Sequence, residues 1–269
     1  MIIYLYSINL LGSLLEQWFK EFFDKYYYET YVETEPEDRN IRESKFIISA
    51  LNLPKGSSIL DLGCGYARHA VYLAKWGYSV VGFDLSDYLL KRAKERCKKF
   101  NVEIDFIRGD MRKMFFEERF DGIYMFYTTF GYFSDEENMI VLENIFNALK
   151  RKGKILIDVW NKIRVYSIYL HRNNVMKNWY NAGGYMILEE GFLNYMDDRV
   201  VVKRIFYRNS KKIVEKTFSL KIYSVYELSK MLRKVGLRIL KIYGDYRGNK
   251  YSIDSPRIII VGEKCEKIF

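Results

Sequence analysis

The run Ile59-Leu-Asp-Leu-Gly-Cys-Gly-Tyr-Ala67 concentrates the chemical capacity of this sequence. Glycines at 63 and 65 let the backbone turn tightly against a ligand, and the start of a following helix offers unpaired N–H groups to a polar or anionic one. A dinucleotide fingerprint wants Gly-x-Gly-x-x-Gly/Ala, and arginine at position 68 breaks it. What remains is a carboxylate, Asp61, before the turn and N–H donors after it, which suits a zwitterionic amino-acid moiety. Farther on, Phe83-Asp84-Leu85-Ser86 ends a second apolar run, where an acid is placed to accept both hydroxyls of a ribose. Arg108-Gly109-Asp110-Met111 ends a third, offering a carboxylate and a sulfur-bearing wall to a purine. One Asp at a strand end is more often a helix cap than a ligand. Three at the ends of successive strands form a pattern.

The elements that must position these residues alternate. Apolar spacing predicts helices over 14–32 and 39–52, broken at Glu35-Pro36-Glu37-Asp38, then a buried strand over 58–62. Helix 67–76, strand 78–83, helix 87–100, strand 103–107, strand 120–126, helix 135–150 and strand 154–160 follow. Such alternation implies parallel pairing and a doubly wound α/β sheet, with its ligand at the carboxyl ends of the strands. Beyond residue 178 the stretches 184–190, 192–196, 199–208 and 212–222 read as antiparallel hairpins. Helix 224–235 and strands 237–243 and 257–263 finish the chain. Three segments are expected: 1–178 as a helical lid plus α/β core, 179–222 as a β cap over the ligand site, and 223–269 completing the sheet.

Composition excludes several classes. The 269 residues, 49% hydrophobic with 3 Pro, suit one compact domain or slightly more and not a disordered chain. Cys64, Cys97 and Cys265 form no Cys-x-x-Cys pair, so no zinc site or dithiol is expected and the compartment reads as reducing and cytoplasmic. With His only at 69 and 171, a His-rich metal site or a Ser-His-Asp triad has little to draw on. The +10 charge is uneven: residues 199–269 carry 18 basic and 6 acidic side chains. A solvated lysine-rich surface gives that sum as readily as a polyanion site does, and lysine enrichment beside a single glutamine hints at a thermophile. Residues 1–15 lack charge but also a basic n-region, and are too short to span a bilayer, so no membrane role is expected. The patterning suggests a true start near Leu14, with 1–13 an extension of little function.

Taken together, the motifs resemble those of the class I S-adenosylmethionine-dependent methyltransferases over roughly residues 14–263, and most closely a small-molecule-type subgroup with a β-rich insertion after strand five. The matching stretches are Phe22-Phe23-Asp24…Tyr27…Tyr31, Asp61-x-Gly63-x-Gly65, Arg68-His69-Ala70, Phe83-Asp84-Leu85-Ser86, Gly109-Asp110-Met111-Arg112, Thr128-Thr129-Phe130-Gly131-Tyr132-Phe133, Tyr243-Gly244-Asp245 and Asp254-Ser255-Pro256-Arg257. The resemblance implies a mostly parallel seven-stranded sheet with an antiparallel β lid, and S-adenosylmethionine as cofactor, leaving as S-adenosylhomocysteine. It implies that Asp61, Gly63, Cys64 and Gly65 surround the methionine moiety and that Asp84, with Leu85, holds the ribose. Gly109, Asp110 and Met111 would frame the adenine, Phe126 and Tyr127 would close over the cofactor, and Tyr27 and Tyr31 would descend from the lid. Ala67 stands where many members have Gly and still permits close packing.

A sulfonium already makes its methyl group electrophilic, so the protein has mainly to align an acceptor and exclude water. A general base matters only for a protonated acceptor, and Tyr127 and Tyr132 are the catalytic candidates. Thr129, Tyr132, Asp158, Asn161 and Arg257 are the candidate acceptor contacts, each of which could equally be core or cap. His69 reads as structural and His171 as a surface residue. Prolines only at 36, 54 and 256 exclude the Asn/Asp-Pro-Pro-Tyr/Phe turn of exocyclic nucleobase methylation. A small-molecule acceptor leads, with an RNA acceptor met through the basic carboxyl quarter, or a non-catalytic cofactor-binding module, as alternatives. Monomer and homodimer both fit.

Overall fold

The computed structural model describes residues 17–265, so the expected extension over 1–13 lies outside the described residues. Helices α1 (Phe19–Phe22), α2 (Lys25–Thr34) and α3 (Glu37–Leu51) come first. The single helix expected over 14–32 is interrupted because Asp24 takes extended backbone and its carboxylate accepts the N–H groups of Tyr26 and Tyr27 at 2.9 and 3.4 Å. Then come β1 (Ser58–Leu62), α4 (Ala70–Lys75), β2 (Ser79–Asp84), α5 (Asp87–Phe100), β3 (Asp105–Arg108), β4 (Phe120–Met125), α6 (Asp135–Ala148) and β5 (Leu149–Trp160).

These strands and two later ones, β10 (Leu237–Tyr243) and β11 (Arg257–Lys264), form one seven-stranded sheet in the order β10-β11-β5-β4-β1-β2-β3. Pairing is parallel except at β11, which runs antiparallel to β5 and β10. The strand order reverses direction at β1, between β4 and β2, and this switch point opens a crevice at the carboxyl ends of the strands. Strand β1 is covered on both faces, with Ile59, Leu60 and Leu62 fully buried, as a parallel sheet sandwiched by helices requires.

Between β5 and β10 the chain adds α7 (Lys162–Leu170), a four-stranded antiparallel sheet and α8 (Val225–Lys234). The added sheet runs β6 (Val175–Ala182), β7 (Tyr185–Asn194), β8 (Arg199–Arg208) and β9 (Lys211–Lys221), in that spatial order. Sequence reading divides β7 in two at Gly191 and misses β6, an edge strand whose Lys177, Asn178 and Trp179 are all exposed and whose pattern lacks a buried face. It also misses α7, which is capped by Asn161 Oδ1 accepting the Ile163 N–H.

One apolar core joins the layers. Leu193, Val200, Phe218 and Leu220 of the added sheet belong to the same buried cluster as Leu60, Met125 and Ile157 of the large one. The amino-terminal helices seal the junction: Phe22 packs edge-on against Phe218, the Tyr185 hydroxyl donates to Glu29 at 2.8 Å, and Lys216 pairs with Asp24 at 2.8 Å. The carboxyl quarter's excess charge is spent similarly, since Lys203, Arg204, Lys216, Lys221, Arg257 and Lys264 pair with acids that precede residue 199.

Gly131 links the β4–α6 connection to the cap. Its carbonyl accepts the Lys221 N–H at 2.8 Å, its φ is +105°, and a Cβ there would stand 2.5 Å from the Lys221 carbonyl oxygen. Gly131→Ala is expected to lower stability by about 1–3 kcal/mol, read as a fall of several degrees in Tm. Gly56→Ala, at φ +84° with nothing within 4 Å of the added Cβ, should cost less. Equal losses at the two sites would show that the contact with Lys221 is not the constraint.

Candidate active site

The turn after β1 forms the floor of a cleft at the switch point. Gly63 and Cys64 both donate their N–H groups to the Phe83 carbonyl, at 2.7 and 3.2 Å, which folds the turn back onto β2. Gly63 has φ +81°, and a Cβ there would meet Thr129 Cγ2 at 2.3 Å, so only glycine lets the two segments close on each other. Gly65, at φ +53°, donates its N–H to Asp84 Oδ2 at 2.8 Å, while Ser86 donates to Asp84 Oδ1 at 2.8 Å. Burial raises the Asp84 carboxyl above its ordinary range. Leu85, Gly109, Asp110, Met111, Phe126, Tyr127, Thr129 and Tyr132 complete the walls, and Tyr27 reaches the cleft from α2. The Asp110 carboxylate is gripped by Arg112 Nε and Nη2 at 3.1 and 2.6 Å; burial alone would raise it, and these bonds leave it lowered.

Two groups in the cleft are short of partners, one of an opposite charge and one of an acceptor. Asp61 is 4% exposed and in no ion pair among the described residues, and burial pushes its carboxyl up to about 7. Arg68 is buried too, and its Nη2 has no hydrogen-bond partner among the described residues. The rest of that guanidinium is engaged, Nη1 donating to Glu43 Oε2 at 2.5 Å and to Asn40 Oδ1 at 2.9 Å. Glu43, on α3, also accepts from Arg39 Nε at 2.9 Å and meets His69 Nε2 at 2.9 Å. These partners outweigh its burial and hold the Glu43 carboxyl well below its usual range. Burial, aided by Arg68, pushes His69 down to about 4, so the imidazole is a neutral structural partner. A buried carboxylate awaiting a cation, beside a buried guanidinium nitrogen awaiting an anion, is complementary to an α-amino acid.

The cleft shares Phe23, Tyr27, Tyr127 and Tyr132 with a second chamber of about 350 Å³, roofed by the amino-terminal helices and the added sheet. Tyr31 belongs to this chamber and not to the cleft; it stacks on Tyr27 with centroids 4.2 Å apart. Arg257 lines the chamber too, its side chain 11% exposed and paired with Asp158, and not in the surface contact with Asp254 that an exposed arginine would make. Its Nε donates to Asp158 Oδ1 and its Nη2 to Thr128 Oγ1, both at 2.7 Å. Asp158, fully buried, lines neither space. It holds the turn above them: its Oδ2 accepts the Tyr127 N–H at 2.7 Å, and its backbone carbonyl accepts the Thr128 N–H at 3.1 Å. Tyr127 and Thr128 both have left-handed backbone, at φ 63° and 64°, which is costly for a β-branched threonine and persists only where surroundings impose it.

Asn161 is likewise absent from both linings. It is fully buried and donates to the carbonyls of Ile253 and Ser255 at 2.9 and 2.8 Å, a structural cap. His171 is exposed at the end of α7. Sequence reading missed Glu35, Arg39 and Glu43, although Arg39 and Glu43 stand four apart on α3 and Glu35, just ahead of that helix, stands four before Arg39, a legible signal. It also missed Trp18, Arg204, Phe218 and Tyr246, which the tertiary fold alone brings to the chamber.

Residues 59–153 match the family model for a methyltransferase domain. Across 229 residues the chain is 23% identical to the putative methyltransferase YqeM of Bacillus subtilis, covering 81% of this chain and 88% of that one. It is 24% identical over 229 residues to the glycine/sarcosine N-methyltransferase of Aphanothece halophytica, covering 84% and 83%. In fold it is similar to an S-adenosylmethionine-dependent methyltransferase from Clostridium acetobutylicum, with a TM-score of 0.74 at 18% identity, covering 84% of this chain and 92% of that one.

Two outcomes test the supports of the site. Arg257→Met strands a buried carboxylate and is expected to cost about 3–5 kcal/mol, whereas Asp158→Leu with Arg257→Met should cost less than the summed single losses, read in a denaturant double-mutant cycle. Between pH 6.5 and about 4 the unfolded chain takes up a proton at His69 that the folded chain refuses, so stability falls as pH falls. In His69→Gln that part of the pH profile should flatten; an unchanged slope would assign it elsewhere.

Proposed function

We propose that the chain, whose residues 59–153 match a methyltransferase-domain model, is an S-adenosylmethionine-dependent methyltransferase that methylates a small molecule seated in the aromatic chamber, with the cofactor in the adjoining cleft. The observation that carries this reading is the wall of Phe23, Tyr27, Tyr127 and Tyr132 common to both spaces, since transfer needs donor and acceptor to meet across one boundary. When bound, the cofactor supplies an activated methyl group on sulfur.

The chain's own residues bind, orient and keep out water. Asp61 takes the cofactor's ammonium and Arg68 Nη2 its carboxylate, with the backbone of Gly63, Cys64 and Gly65 against the same moiety. Asp84, its carboxylate fixed by Gly65 and Ser86, takes the ribose hydroxyls, and Leu85 packs beside it. Gly109, Asp110 and Met111 frame the adenine. Because Arg112 already binds the Asp110 carboxylate, that acid acts chiefly by fixing the short turn at Met111. Phe126 and Tyr127 close over the cofactor, and Thr129 and Tyr132 border the transfer point. Tyr31 then serves the acceptor side of the lid. Tyr127 is the better placed of the two tyrosine candidates to move a proton, because its hydroxyl donates to the Glu35 carboxylate at 2.7 Å.

A nucleic-acid acceptor is not favoured, because six of the basic residues that suggested it are paired within the fold. Among the described residues no helix is long and apolar enough to cross a membrane. A reducing, cytoplasmic setting suits the free, buried Cys64 and Cys97.

Calorimetric titration separates these roles. Asp61→Asn and Arg68→Gln should each weaken S-adenosylhomocysteine roughly tenfold or more, the scale of one charge-assisted contact. They should leave 5′-methylthioadenosine, which lacks the amino-acid moiety, little changed. Asp84→Ala should weaken both ligands. Near pH 7, binding of S-adenosylhomocysteine should release protons, seen as a heat that varies with buffer, because an ammonium beside Asp61 lowers a carboxyl that burial holds at about 7. Unaltered S-adenosylhomocysteine affinity in Asp61→Asn and Arg68→Gln would refute the amino-acid assignment.

A further inference from the structure

The chamber beside the cleft is a room of donors. Arg39, Arg204 and Arg257 line it, and no Asp or Glu does among the described residues. Each guanidinium is anchored from behind by an acid outside the lining: Arg39 by Glu35 and Glu43, Arg204 by Glu189, Arg257 by Asp158. Anchoring leaves N–H edges over. The two terminal nitrogens of Arg204 find only the Tyr31 hydroxyl, at the long distances of 3.4 and 3.3 Å, and Nη1 of Arg257 has no partner among the described residues. Trp18 lines the same chamber, and its buried indole N–H has no acceptor among the described residues. The free guanidinium edges are donors for any acceptor that enters the chamber. The other walls are rings, among them Phe22, Tyr132, Trp160 and Phe218.

Resting on the methyltransferase reading, we propose that the acceptor carries an anionic group, a carboxylate or a phosphate monoester, on an aromatic or similarly flat apolar body. The anion takes the spare N–H edges of Arg204 and Arg257, and the body lies among the rings. A guanidinium fork held rigid on one edge matches the planar oxygens of such a group at little cost in side-chain entropy. An acceptor bearing a positive charge far from any anion is disfavoured here, since three guanidinium groups face it with no carboxylate in the lining. The size agrees: a cavity of about 150 Å³ takes one benzene ring, and this one is about 350 Å³.

A matched series loaded onto the complex with S-adenosylhomocysteine tests the assignment. The probes are 4-hydroxyphenylacetate, 2-(4-hydroxyphenyl)ethanol and tyramine, which share a ring and differ in charge, with phenyl phosphate set against phenylacetate to separate the two anion types. The expected result is binding of 4-hydroxyphenylacetate at least roughly tenfold tighter than the alcohol, with tyramine weakest, one charged contact being the scale. Arg204→Gln should narrow the gap between acid and alcohol while S-adenosylhomocysteine affinity is kept, and Arg204→Lys, which keeps the charge and loses the planar fork, serves if Arg204→Gln does not fold. An alcohol or amine that binds as tightly as the acid, or an acid that does not bind, overturns the proposal. Loss of S-adenosylhomocysteine binding by the wild-type chain would instead overturn the reading on which it rests.

Discussion

The site depends on one buried carboxylate. Glu43, on α3, is shared by Arg39 of its own helix and by Arg68 and His69 of the segment that leaves the glycine turn. Removing Glu43 would take from the buried Arg68 guanidinium its shortest ion pair, a costly loss in a desolvated place. The contact therefore ties α3 to the segment that leaves the glycine turn. It also sets Arg68, a residue of the cleft lining, so that one of its terminal nitrogens is engaged while the other has no partner among the described residues.

A second buried pair does for the acceptor side what Glu43 does for the cofactor side. Asp158 and Arg257 come from adjacent antiparallel strands, and between them they hold three groups of the Tyr127–Thr128 turn. The turn's left-handed backbone stores strain that this pair restrains, and its product is a tyrosine positioned on the boundary of both spaces.

The sheet was legible because alternation of short apolar runs with amphipathic segments has few topological solutions. Asp61, Asp84 and Asp110 were legible because each ends a strand of that sheet, so local sequence also gives spatial address. The acceptor chamber was not. Trp18, Arg204, Phe218 and Tyr246 come from four separate segments, and nothing local to any of them marks a shared destination. Asp158 and Asn161 illustrate the same limit in reverse: their place at the end of β5 was read correctly, yet whether a polar side chain at a strand end faces a ligand or braces a turn depends on partners such as Arg257 and Ser255, far along the chain.

The roof over the chamber is woven from two stretches that the chain makes far apart, residues 17–34 and 175–221, cross-tied by Lys216 to Asp24 and by Tyr185 to Glu29. Neither stretch contributes to the pairing of the large sheet. Among descendants of a common ancestor, a change of acceptor would therefore be inherited as a matched alteration in both stretches, a lengthened side chain in one answered by a shortened one in the other. The cofactor cleft beneath would pass through such a history almost untouched.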